Sequence, residues 1–267
     1  MPTLLAYLET EAFTLTLATL AIAMLCEMRW PRRAIPGAWA GRWGVNAVLA
    51  GAGMAVVGAL IPLSSVTAAA LAERRGLGLF QMTGCAAWMA GALGFLLLDL
   101  VKFLQHLLMH RVGWLWRVHR AHHADVACDA TTSLRFHPFE MLLAHALELA
   151  TILALGIPPL AVALYRLART VISTVVHGNF TFPRAVERAL RWIVVTPDLH
   201  LIHHSQLPRE QHCNLSGGFT LWDRLFGTYL PEPSLSLERM PLGIAGLPVA
   251  RANSLRAMLN VFEANNS

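Results

Sequence analysis

Apolar positions in this chain come in long blocks, not at the period of two or 3.6 that marks a half-buried strand or a surface helix. The blocks run over Phe13–Met28, Val45–Ala72, Met82–Leu108 and Met141–Val176. A helix that crosses a bilayer needs roughly 20 mostly apolar residues. The first three blocks meet that length, the first of them if its threonines count as tolerated. The fourth is interrupted by Gly156-Ile157-Pro158-Pro159, where proline removes a backbone donor and clashes with the preceding turn. It therefore predicts a hairpin of two helices of about 15–18 residues each. Beyond residue 178 polarity rises and Pro183, Pro197, Pro208, Pro231 and Pro233 punctuate the chain, which predicts short helices and loops packed as a cap. The expected fold is all-α: an integral membrane helical bundle with about four to five membrane-embedded helices and a histidine-rich cap.

Composition supports the membrane reading. Hydrophobic residues make up 55% of the 267 and charged residues 14%, against the quarter or so usual for a soluble domain. Too few charges remain to cover a water-exposed surface. The net charge of +5 comes from 20 arginines and a single lysine, Lys102. These alternate with apolar blocks instead of forming one basic face, so they read as membrane flanks and not as a nucleic-acid patch. Cys26, Cys85, Cys128 and Cys213 are scattered without a CxxC, so neither a disulfide framework nor a thiolate zinc site is indicated. The first ten residues carry Glu9 and no Lys or Arg, the wrong sign for the start of a cleaved signal segment.

The positive charges also predict orientation. Arg29, Arg32, Arg33 and Arg42 join the first two blocks. Lys102, Arg111, Arg117 and Arg120 follow the third, and Arg166, Arg169, Arg184, Arg188 and Arg191 lie on the exit side of the hairpin; Arg74 and Arg75 fall opposite. The positive-inside tendency places the N-terminus outside and the histidines on the cytoplasmic side, in a bacterial chain at the inner membrane. Trp30, Trp39, Trp43, Trp114 and Trp116 border these ends and read as interface anchors.

All 12 histidines lie between His106 and His212. Residues three and four apart share a helix face, so His106 and His110 point one way. His119-Arg-Ala-His122-His123 adds three more, and His200-Leu-Ile-His203-His204 repeats the same HxxHH pattern eighty residues on. Two such groups are not expected by chance. Burying so many imidazoles without partners costs several kcal/mol in lost hydration, and a bound metal removes that cost. With His177, nine histidines suit two metals with four or five ligands each. Imidazole suits iron, zinc and copper alike, so the residues give two first-row metals and no choice between them. His137, His145 and His212 read as structural or outer residues.

The order of these motifs resembles that of the fatty acid hydroxylase and sterol desaturase superfamily. The resemblance rests on His106-x3-His110, Leu115-Trp116-Arg117-x-His119-x2-His122-His123 and Thr132-x2-Arg135-Phe136-His137-Pro138-x-Glu140. It continues through His177-Gly-Asn179, Thr196-Pro197-x2-His200-x2-His203-His204-Ser205, Asn214 and Leu221–Thr228. It spans about Asp99 to Tyr229 and is closest to the short bacterial members. It implies a non-haem di-iron centre that uses O2 on a lipid, with His106, His110, His119, His122, His123, His177, His200, His203 and His204 as metal ligands. His137 and Asn214 match positions near the metals. Asp99, two helical turns before His106, either orients a ligand imidazole or pairs with Lys102. The implied organisation is N-terminal transmembrane helices over 1–98, the di-metal region over 99–230 and a C-terminal tail over 231–267. Leu107 stands where the family often has Arg, and Leu215-Ser216 where it usually has an aromatic residue and Gly.

The implied reaction is hydroxylation or desaturation of a sterol, fatty acyl or related lipid with O2 and two electrons. The protein positions the substrate and excludes water. No haem or flavin segment is visible, so the electrons are expected from a separate ferredoxin- or cytochrome-like partner. A zinc hydrolase would carry HExxH, which is missing. A metal transporter would set its histidines in mid-membrane. A zinc-binding or non-catalytic membrane metalloprotein stays open as the alternative.

Overall fold

The computed structural model describes residues 2–34 and 39–260, with side chains over 14–34 and 41–260. The expectation of an all-helical chain holds, and among the described residues strand geometry is limited to two isolated bridges, Val194 with Phe219 and Ser205 with Leu242. The helices are α1 (Pro2–Arg29), α2 (Trp39–Leu60), α3 (Ser65–Arg74), α4 (Leu79–Met82), α5 (Ala87–Arg111), α6 (Gly113–His123), α7 (Pro138–Leu155) and α8 (Pro159–His177). Six short ones follow: α9 (Arg184–Leu190), α10 (Pro197–His203), α11 (Pro208–Gln211), α12 (Leu221–Phe226), α13 (Val249–Ala252) and α14 (Leu255–Leu259).

Among the described residues four stretches are long and apolar enough to cross a membrane: Gly41–Met82, Ala87–Arg111, Pro138–Leu155 and Pro159–His177. Only 17–28% of their most apolar windows is buried inside the protein. Residues such as Trp88, Leu160 and Leu164 face outward. A surface this apolar is stable only against lipid, and the chain is an integral membrane protein. The predicted segment Phe13–Met28 lies within α1, although the side chain of Phe13 is outside the described residues.

The block Val45–Ala72 is not one helix, contrary to the sequence reading. It breaks at Ile61–Ser64, where Pro62 cannot donate to the helix ladder. Ser64 then restarts the chain as the cap of α3, its hydroxyl accepting from the Thr67 N–H at 3.1 Å. The buried alanines of α3, Ala68, Ala69, Ala70 and Ala72, allow it to pack closely on α7 and α8. The third block likewise begins later than predicted, because Met82 ends α4 and Gly84 turns the chain at φ 64° before α5. The fourth breaks where expected. Gly156 caps α7 in the left-handed conformation at φ 67°, and α8 starts at Pro159. Gly78 lies so close to that turn that an added Cβ would sit 2.2 Å from the Gly156 nitrogen.

Helices α5 and α8 end on the same face of the bundle, where α7 begins. The cap is closed there by buried charge. Arg42 reaches from α2 to Asp125 at 2.8 Å and to Asp129 at 2.6 Å, and Arg32 pairs with Asp198. These arginines, expected as membrane flanks, are consumed in ion pairs that fasten the helix ends to the cap. Residues 231–260, expected as a tail, form a packed strap. Ile244, Ala252 and Met258 fill a cluster with Val45, Leu49 and Ala121, and the buried Arg135 guanidinium donates to the Ala252 carbonyl.

Trp30 and Trp114 are exposed as interface anchors would be. Trp43 instead donates to Asp129 at 3.0 Å, and Trp116 packs on the rings of His110 and His123. Trp39 falls outside the described side chains.

Candidate metal centre

The geometry of the helix ends sets the site. His106 and His110 occupy the last turns of α5, His119, His122 and His123 the end of α6, His177 the final residue of α8, and His200 and His203 the end of α10, with His204 as its C-cap. Four helix C-termini, each with partial negative charge, therefore converge on one region, an arrangement that favours cations. Thr196 starts α10 by accepting from the Leu199 N–H, and its own hydroxyl donates to Glu187 at 2.6 Å.

The nine histidines gather into two adjoining groups, His106, His110, His119, His123 and His203 in one and His122, His177, His200 and His204 in the other. Within each group the ligand atoms lie within 4.8 Å of one another. Each HxxHH splits in the same way. Its i and i+4 imidazoles serve one group and the residue between crosses to the other, so His122 joins His200 and His204 while His203 joins His119 and His123. The His123 and His204 rings stack at 4.7 Å where the groups meet.

Hydrogen bonds fix which ring nitrogen faces inward. The Nδ1 of His106 meets the Leu215 carbonyl at 2.6 Å, that of His122 the Arg135 carbonyl at 3.2 Å, that of His177 the Ser173 carbonyl at 2.6 Å and that of His203 the Cys213 carbonyl at 2.9 Å. The Nδ1 of His119 meets the Glu140 carboxylate at 2.9 Å. Carbonyls and carboxylates only accept, so Nδ1 carries the proton in all five and each Nε2 presents a lone pair.

Those lone pairs confront one another. His106 Nε2 lies 3.0 Å from His119 Nε2, and His122 Nε2 lies 3.1 Å from His177 Nε2. Neither nitrogen of either pair has a proton to give. A shared cation removes the repulsion: two nitrogens at about 2.1 Å from one ion and at right angles lie roughly 3 Å apart. His177 to His200 at 2.9 Å and His200 to His204 at 3.2 Å have the same spacing. Both ring nitrogens of His110 and His123, and Nε2 of His203, are buried with no partner among the described residues. The residues therefore fit metal ions. Five imidazoles in one group exceed the four ligands of a closed zinc site.

Burial lowers the basicity of these rings and neighbouring imidazoles lower it further. His122, His123, His200 and His204 are held well below the usual histidine range, and His203 is lowered to about 3. They are neutral at pH 7, as ligands must be.

The remaining histidines do not join the groups. His137 caps α7, its Nδ1 accepting from the Phe139 N–H. His145 bonds the Leu63 carbonyl. His212 lies beside His110 with ring centroids 5.6 Å apart. Asp99 neither orients an imidazole nor pairs with Lys102. Its carboxylate accepts from Trp222 Nε1 at 2.9 Å and from the Phe219 N–H at 3.0 Å, anchoring the loop whose Leu215 carbonyl holds His106. Asn214, at φ 51°, ties the Leu199 carbonyl to Leu230, one residue from the carbonyl that holds His203. Glu140, whose carboxylate meets His119, was not among the site residues expected from the sequence, although its motif was in view.

A cavity of about 440 Å³ opens beside the centre, lined mainly by α5, α7 and α8, with Thr16 of α1, Met54 of α2 and Ser133, Leu134 and Phe136 ahead of α7. A narrow neck touching His106, His119, His122, His177 and His200 continues from it, and Lys102, Gln105, Phe136, Glu140 and Arg169 line both. Lys102 and Arg169, expected at a membrane flank, thus lie at the neck.

Residues 91–228 match the sequence pattern of the fatty acid hydroxylase family, 138 of the 267 residues. The chain belongs to the fatty acid hydroxylase family. The family segment contains all nine clustered histidines. Among curated relatives, the chain is 30% identical to human cholesterol 25-hydroxylase over 50% of its length and 48% of the relative's. It is 29% identical to an alkylglycerol monooxygenase of Xenopus tropicalis over 52% of the chain and 30% of the relative. It is 32% identical to an ornithine lipid hydroxylase of Rhizobium tropici over 58% and 45%. The chain spans about half or less of the length of these relatives. No solved structure matches it.

Proposed function

We propose that this protein is a membrane-bound non-haem di-iron oxygenase that hydroxylates or desaturates a lipid, using O2 and two electrons from a separate ferredoxin- or cytochrome-like donor. The observation that carries the reading is the pair of opposed Nε2 lone pairs, His106 against His119 and His122 against His177, within two adjoining all-imidazole groups. In this reading His106, His110, His119, His123 and His203 hold one ion and His122, His177, His200 and His204 the other. The three relatives are named as hydroxylases or monooxygenases of lipids, and the cavity has the size of a small-molecule site.

Two iron ions would supply O2 activation, with the balance R–H + O2 + 2 e⁻ + 2 H⁺ → R–OH + H2O for hydroxylation. The chain's own part is to hold and exclude. The carbonyls of Leu215, Arg135, Ser173 and Cys213 and the Glu140 carboxylate keep the protons on Nδ1, so that every fixed Nε2 stays directed at the ions. Phe136, Met109 and Val176 line the neck and limit water. The cavity admits a lipid from the bilayer between helices. The domain limits at 98 and 230, and a cytoplasmic position for the centre in a bacterial inner membrane, belong to the same proposal.

Metal analysis of protein expressed with iron available tests it, together with a Mössbauer measurement of coupled iron and mass spectrometry of lipids under labelled O2. About two irons per chain and one labelled oxygen, or the loss of two hydrogens, in a lipid product are expected. One zinc and no iron would overturn it in favour of a zinc metalloprotein.

A further inference from the structure

The neck between the cavity and the histidines is lined with hydrogen-bond donors that the described residues satisfy only in part. Lys102 Nζ makes one bond, to Gln105 Oε1 at 3.3 Å, and a lysine ammonium has three donors. Gln105 Nε2 is buried without a partner, and so is Arg169 Nε, while Arg169 Nη1 donates to the Gly217 carbonyl at 2.5 Å. Among the described residues neither Lys102 nor Arg169 forms an ion pair with a carboxylate, whereas Arg166, also in the cavity wall, is neutralised by Glu148 at 2.8 Å. Asp99 lies behind Arg169 across Gly217 and Gly218 but is committed to Trp222 and Phe219. Among the described residues Glu140 is the one carboxylate that lines the neck. One of its oxygens is bonded to His119 and the other has no partner. Two cations and a buried amide thus face a single carboxylate that the metal centre already uses. A half-buried cation without a counter-charge is costly, and an anion is what relieves it.

We infer that Lys102, Gln105 and Arg169 form an anion-binding subsite for the substrate, which is an amphiphile bearing a carboxylate or phosphate, and that the oxidised carbon lies within a few bonds of that group. This rests on the oxygenase reading and adds the substrate class to it. The position follows from size. The neck is small, about 30 Å³ against about 440 Å³ for the cavity, and both Lys102 and Arg169 touch it alongside His106 and His119. A headgroup held there cannot be far from the ions, and the rest of the molecule extends back into the 440 Å³ cavity and toward the bilayer.

The test uses the full chain in nanodiscs of uncharged lipid, both metal-free and iron-loaded. Dissociation constants are measured for radiolabelled dodecanoate, dodecyl phosphate, uncharged methyl dodecanoate and inorganic phosphate. At least one anionic amphiphile is expected to bind on the order of tenfold or more tighter than the ester. Lys102→Met and Arg169→Gln each remove that advantage without weakening the ester, and Lys102→Arg restores it. Whichever of carboxylate or phosphate binds tighter identifies the headgroup. Equal binding of ester and both anions by the unmodified chain overturns the inference, as does a variant that loses ester and anion alike. Inorganic phosphate that binds as tightly as dodecyl phosphate would make this a site for a free anion and overturn the lipid assignment. Oxidation of the bound amphiphile at its methyl end would overturn the positional claim. Because binding is read in metal-free protein too, failure of the iron assignment leaves this result intact, and the two outcomes are separable.

Discussion

The Glu140 carboxylate, at the start of α7, holds the Nδ1–H of His119 on α6 at 2.9 Å. This bond joins the first turn of a membrane helix to the metal-facing ring of a cap helix. It also places a negative charge one imidazole away from the proposed ions. A carboxylate behind a ligand histidine fixes its tautomer and raises its basicity, and removing one typically costs about 10–100-fold in metal affinity or activity. Glu140→Gln retains an acceptor but not the charge. We expect it to weaken iron binding by that order, with Glu140→Ala weaker still, as read by iron content after dialysis against a graded chelator. Unchanged retention in both variants would show that the bond is only structural.

The split of each HxxHH gives a second prediction. His203 belongs to the five-histidine group and His204 to the four-histidine group, although they are adjacent in sequence. His203→Ala and His204→Ala should each abolish product formation, but each should leave the other ion's group complete. Iron content is expected to fall from about two toward about one per chain in either variant, and the residual iron should give two different Mössbauer signatures. Identical spectra would mean that the groups are not separate sites.

Much of this architecture was legible in the sequence, for reasons that differ by element. The α7–α8 break was readable because Gly156 and Pro159 act locally, through φ and a missing donor. The corresponding break at Pro62 was hidden inside an apolar run whose composition favours one long helix. The grouping of histidines was readable from i, i+4 spacing, but their sorting into two groups was not, since it depends on how α6 and α10 face each other. Lys102 and Arg169 looked like membrane flanks because position along the chain does not reveal an internal cavity. Asp99 was two turns from His106 and still turned away, toward Trp222, because the side that a helix residue faces depends on what packs there.

Arg42 carries the third prediction. Its guanidinium is buried between Asp125 and Asp129, and Asp129 also holds Trp43 and the Thr131 hydroxyl. Removing one partner of such a cluster leaves uncompensated buried charge at a cost of about 3–5 kcal/mol. Arg42→Met should therefore lower the unfolding midpoint by many degrees in detergent, more than Arg166→Met, whose pair with Glu148 is half exposed. Equal shifts for the two variants would remove the reason for calling the Arg42 cluster the clamp between α2 and the cap.

Metal removal and pH act on the same imidazoles. Stripped of metal, the protein keeps lone pairs opposed at 3.0 and 3.1 Å, and the folded state alone presents both complete groups of ligands. A ligand that binds only the folded state stabilises it by mass action, so a chelator should lower the thermal midpoint and Fe(II) should restore it. The stripped protein should also be acid-sensitive. Burial lowers the folded basicity of His122, His123, His200, His203 and His204, whereas the unfolded chain titrates near pH 6.5. Between those limits the unfolded state binds more protons. Stability is then fully present above about pH 6.5 and is lost as pH falls below it, more steeply than one group would give. Thermal melts of chelator-treated protein across pH 8 to 5 should show the midpoint level at first and then falling. Bound metal should move the fall to lower pH, since protons must then compete with the ion for Nε2. A midpoint independent of both chelator and pH would mean that these nitrogens neither face each other unprotonated nor bind metal, and the two-ion reading would fail with it.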